Sequence, residues 1–66
     1  MTGWIFKRAS LHGTEYWRGR MNGFGDPVTS LHVCDAYVFR SHDGALQTAE
    51  THAALRDSDS WKVVQR

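Results

Sequence analysis

Three alanines, Ala45, Ala49 and Ala53, recur every four residues and so fall on one stripe of a helix. Leu46 flanks the stripe, while Gln47, Thr48, Glu50 and Thr51 face largely away from it. Alanine has little volume, so this helix can approach its partner surface closely, and the partner must supply the bulk. The tryptophans (Trp4, Trp17, Trp61) and phenylalanines (Phe6, Phe24, Phe39) can do so. They are spread along the whole chain, which implies one helix laid on a surface assembled from several short segments. At 66 residues the chain is a single domain, 1–66, near the lower limit for folding without a staple. A core of that size rarely supplies more than about 3–5 kcal/mol of net stability, so each large aromatic counts.

The segments read as strands. Trp4 to Ala9 is a short aromatic and apolar run, and "SLHGTE" carries a glycine turn. Glu15 to Met21 then returns as the second strand of a hairpin. Asn22 to Pro27 holds Gly23, Gly25 and Pro27 and is a loop. The β-branched run from Val28 to Val33 predicts a third strand, with Thr29, Leu31 and Val33 on one face and Val28, Ser30 and His32 on the other. "AYVF", Ala36 to Phe39, is a further extended piece. Ser41 is a good N-cap, and Asp43 stands in the first turn where the helix dipole favours negative charge. "RDSDS" ends the helix, and "WKVVQ", Trp61 to Gln65, closes the chain as a strand. The expected fold class is α+β, a small antiparallel sheet of three to four strands in β-β-β-α-β order, with one helix packed on one face.

Strand alternation then distributes the charges. With Trp4 and Phe6 toward the helix, Ile5 and Lys7 face away. Trp17, Gly19 and Met21 share the core side, which leaves Tyr16, Arg18 and Arg20 outside. On the last strand Trp61 and Val63 point in, and Lys62, Val64 and Arg66 point out. The uncovered face thereby gathers Lys7, Arg18, Arg20, Lys62 and Arg66 around Tyr16. Net charge is only +1, but residues 1–25 set four cations against Glu15, for +3, and residues 26–66 set four against six acids, for −2. A basic sheet face with one tyrosine can dock on an acidic protein, or follow a phosphate backbone while the ring stacks on a base. It can also be a plain solvated face, as antiparallel sheets often have.

Chemistry finds few footholds. His32 and Cys34 lie two apart and would share a strand face, half of a zinc site. Neither a Cys-x-x-Cys nor a His-x-x-x-His completes the set formed with His12, His42 and His52. Cys34 is the sole cysteine, which excludes an intramolecular disulfide and carries no local nucleophile signature. Asp57 and Asp59, alternating with Ser58 and Ser60, read as a solvated turn, since a calcium loop needs more regularly spaced oxygen ligands. His52 belongs at the edge of the core, next to the alanine stripe. No catalytic, cofactor or metal residue is assigned, and the chain is read as a non-enzyme. The sequence shows no signal peptide or membrane-length apolar run, so a cytoplasmic setting is the default expectation.

The order of these elements resembles small proteins of phages and prophages. The residues that carry the resemblance are Tyr16-Trp17-Arg18-Gly19, Ala36-Tyr37-Val38-Phe39-Arg40-Ser41, Ala45 with Ala49, and Trp61-Lys62-Val63-Val64. Proteins of that kind with assigned roles are mostly non-enzymatic inhibitors of host machinery, anti-CRISPR proteins among them. The resemblance implies a small binding protein that docks on a larger host protein or ribonucleoprotein complex and inhibits or modulates it.

Lys7, Tyr16, Arg18, Arg20 and Lys62 are the candidate partner-binding residues. For a basic target groove the acidic side of the helix (Asp43, Glu50, Asp57, Asp59) is the better contact. A nucleic-acid-binding module using the same basic face, and a zinc-binding domain around His32 and Cys34, are the alternatives. No membrane partner is expected. Homodimerisation through short edge strands is a further route to stability.

Overall fold

The computed structural model describes residues 3–52, 55 and 61–66. Four strands, β1 (Trp4–Ser10), β2 (Gly13–Met21), β3 (Pro27–Ser30) and β4 (Lys62–Gln65), form one antiparallel sheet in the order β3-β2-β1-β4. The helix α1 (His42–Thr51) packs on one face, so the α+β class is as the sequence predicts.

The hairpin turns at Leu11–His12, and Gly13 follows with φ +116°, a conformation L side chains rarely adopt. From there β1 and β2 pair from Ser10↔Gly13 to Lys7↔Tyr16. Beyond that point the two strands part. The register of β2 against β3 shifts between Trp17 and Met21, a bulge centred on Gly19 at φ +90°. The indole Nε1–H of Trp17 closes the bulge by donating to the Arg20 carbonyl at 2.9 Å.

Residues 37–39 fill the opening. The Trp4 N–H donates to the Phe39 carbonyl at 2.9 Å, and the Phe39 N–H donates back to the Trp4 carbonyl at 2.8 Å. On the other side the Tyr37 N–H donates to the Trp17 carbonyl at 2.9 Å. The extended "AYVF" piece is therefore a wedge between two strands rather than a strand of its own. It satisfies backbone groups that the parting of β1 and β2 would leave unpaired.

The third strand departs from expectation. Pairing stops at Ser30, and Val33–Asp35 forms a short 3-10 turn. The cause is Ser30, whose hydroxyl accepts from the His32 N–H at 3.1 Å and donates to the Asp35 carboxylate at 2.7 Å. These local bonds offer the backbone a turn in place of a ladder. Leu31 and Val33 are consequently exposed, not aligned with Thr29 on a strand face. Pro27, placed in the loop by composition, is instead the first residue of β3, where a missing N–H is tolerated.

The core sits between the sheet and α1. Phe6, Trp17, Ala45, Leu55 and Trp61 are buried in one cluster, with Trp4, Met21, Phe39, Ala49 and Val63 packed against it. Trp17 and Phe39 stack with centroids 6.1 Å apart, and Phe6 meets Trp17 edge-on at 5.7 Å and Phe39 at 5.6 Å. Such pairs each contribute about 0.5–1.5 kcal/mol beyond the area they bury. Ala45 is wholly buried, as its place on the stripe requires. The Ser41 hydroxyl caps the helix, accepting from the Gly44 N–H at 3.0 Å. His52 is the C-cap, half-buried with its ring 6.0 Å from Trp17, which bears out its position at the core edge. Ala53, Arg56 and the Asp57–Ser60 turn lie outside the described residues.

Candidate interface on the uncovered sheet face

The strand registers align the candidate residues across the sheet. Lys7 of β1 stands opposite Lys62 of β4 on one side and Tyr16 of β2 on the other, and Tyr16 in turn faces Ser30 of β3. Lys62, Lys7, Tyr16 and Ser30 therefore form one row, all on the face turned from α1. Both lysines are exposed and Tyr16 is half-buried. Arg18, two residues on from Tyr16, is also exposed on this face.

Arg20 is exposed too and lies beyond the bulge, and since its neighbour Met21 packs against the core, Arg20 keeps the outward side. The structure thus brings Lys7, Tyr16, Lys62 and Arg18 together and sets Arg20 beyond an interruption. Arg66 continues the outward positions of β4 and is anchored through its N–H to the Gly3 carbonyl at 2.9 Å.

Like charges opposite one another on a sheet are destabilising, and Lys7↔Lys62 is such a pair. Among the described residues no carboxylate lies within ion-pair distance of Lys7, Lys62 or Arg18; the ion pair formed is Arg8–Glu15, at 2.7 Å, on the helix side. There the Arg8 guanidinium also covers the Trp61 ring at 4.6 Å from its centroid. Arg8 is thereby spent on the core, whereas the outer cations stay available.

Next to the lysines the same face turns apolar, a feature the charge pattern concealed. Ile5 pairs with Val64, and although it faces away from α1 it is only 2 % exposed. Val38 of the wedge lies beside Gly3, so close that a Cβ there would collide with it. Alternation from Phe39 places Val38 and the buried Ala36 on this outer side. Of these apolar residues Ile5 and Ala36 are buried, so the outer face shows half-buried Val64 and exposed Val38 beside the cations. The wedge could not be foreseen from pattern alone, since it depends on how far β1 and β2 separate.

The metal alternative loses its geometric premise. His32 and Cys34 do not share a strand face: His32 precedes the 3-10 turn and Cys34 is an exposed residue within it. Among the described residues no group of three or more His, Cys, Asp or Glu side chains is placed to hold a metal ion. On the acidic side, Asp43 and Glu50 are exposed on α1, while Asp57 and Asp59 lie outside the described residues.

A groove of about 400 Å³ runs between α1 and β4, lined chiefly by Leu46, Glu50, Trp61 and Val63. No helix among the described residues is long and apolar enough to cross a membrane. Comparison of the chain with protein-family models, with curated proteins and with solved structures finds no match.

Proposed function

We propose that this chain is a non-enzymatic binding protein that docks on an acidic surface of a larger protein complex through the uncovered sheet face. The observation that carries the reading is the Lys62–Lys7–Tyr16 row, which places two cations side by side at an energetic cost with no compensating carboxylate among the described residues. An anionic partner relieves that repulsion on contact. The apolar side chains beside it, half-buried Val64 and exposed Val38, support a protein partner, because interfaces combine an apolar middle with a polar rim. Tyr16 and Arg18 are residue types that contribute strongly to such contacts. In the form that the phage-like resemblance implies, the docking inhibits or modulates a host complex.

Nucleic acid is the second reading, and Tyr16 beside Lys7, with Lys62 next in the row, favours it as a place for a stacked base. The test is affinity capture from a bacterial lysate, with and without nuclease, using the wild type and the K7E/K62E variant. A nuclease-resistant protein retained by the wild type and lost by the variant supports docking on protein. Enrichment that disappears with nuclease transfers the face to nucleic acid. Equal capture by both proteins rejects this face altogether.

A further inference from the structure

β4 is an edge of the sheet, paired to β1 on one side. Its hydrogen-bond phase follows from one contact: the Arg66 N–H points to β1, where it donates to Gly3. In an antiparallel strand alternate residues direct their N–H and C=O to the same side. Lys62 and Val64 therefore bond to β1, and Val63 and Gln65 direct theirs outward. Trp4, opposite Gln65 on β1, agrees, since its own N–H and C=O point the other way, to Phe39. Val63 and Gln65 thus offer two donors and two acceptors along a strand with no proline and no bulge. The opposite edge, β3, is blunted by Pro27 and by the bulge beside it.

The helix side of the same edge is apolar. His52 sets one flank of α1 against Trp17 of β2, so the other flank, with Leu46 and Glu50, lies toward β4. There Leu46 is 43 % exposed and borders the groove with Val63. Among the described residues, an open backbone edge and a largely apolar groove accordingly coincide.

We propose that two copies of the chain pair antiparallel through their β4 edges, centred on Val63, to form one eight-stranded sheet. The occupant is a second copy because the edge is self-complementary. Two-fold pairing of Val63 with Val63 makes both reciprocal backbone bonds and sets Lys62 opposite Val64 of the other copy. The neighbouring register, centred on Val64, would set Lys62 opposite Arg66, a like-charge pair. In the favoured register both helices stand on the same face, with their Leu46 flanks and grooves turned toward each other. A chain of 66 residues has a small core of its own and gains buried apolar area in this way. This inference is independent of the docking role assigned to the opposite face.

The test is sedimentation equilibrium with amide hydrogen exchange, from micromolar to millimolar wild-type protein. The expected result is a monomer–dimer equilibrium in which the Val63 and Gln65 amides become protected as concentration rises. Gln65→Pro removes an outward N–H without removing a bond to β1, and it should abolish the dimer while leaving the monomer's circular dichroism intact. Leu46→Glu should weaken the dimer through the groove. A monomer at every concentration overturns the proposal, and so does a dimer whose Val63 and Gln65 amides exchange freely. The exchange readout on the wild type decides the matter even where a variant fails to fold.

Discussion

The side chain of Tyr37 occupies the space that a β-carbon on Gly19 would need: a Cβ built there comes within 2.5–2.9 Å of three Tyr37 atoms. Gly19 also has φ +90°, so both the conformation and the close approach demand glycine. This contact lets the wedge seat between β1 and β2 and bring Phe39 into the core. Gly19→Ala should lose about 2–4 kcal/mol, the sum of backbone strain and overpacking. Urea denaturation measures it. Adding Tyr37→Ala should recover only the steric share, and full recovery would show that the backbone is not strained.

Arg8 is predicted to stabilise the core by covering Trp61 and pairing with Glu15. Arg8→Ala should cost about 1–2 kcal/mol, combining a cation–π contact with a part-exposed ion pair. Glu15→Gln removes only the ion pair and should cost less than 1 kcal/mol or so. Equal losses in the two variants would mean that the stacking on Trp61 contributes nothing.

The cap at Ser41 makes a separate prediction. Ser41→Ala leaves the Gly44 N–H without its acceptor and should destabilise the domain by about 1 kcal/mol. Ser41→Asp should restore most of it, aided by the helix dipole. If alanine and serine prove equally stable, the 3.0 Å bond is not a working cap.

Much of this fold was legible in the sequence for physical reasons. Period-two alternation placed Phe6 and Trp17 inward and Lys7 and Tyr16 outward, and the strand registers agree. The alanine spacing and Ser41 located α1, with Ala45 the wholly buried residue. The β-branched composition at 28–33 signals a longer third strand than forms, because it does not encode the turn-forming bonds of Ser30 with His32 and Asp35. The apolar half of the outer face was hidden because Val38 reaches it through tertiary insertion, which no local pattern encodes.

Lys62 is the residue on which docking through this face depends most directly. If the Lys7↔Lys62 pair is kept for an anionic partner, Lys62→Glu should make the free domain more stable by about 0.2–1 kcal/mol, because a like-charge pair becomes an opposite one. The same change should weaken partner capture severely. The first measurement is therefore Lys62→Glu against wild type, in parallel urea denaturation and nuclease-treated capture. Greater stability together with lost capture is the predicted result. Undiminished capture by the variant would contradict the account.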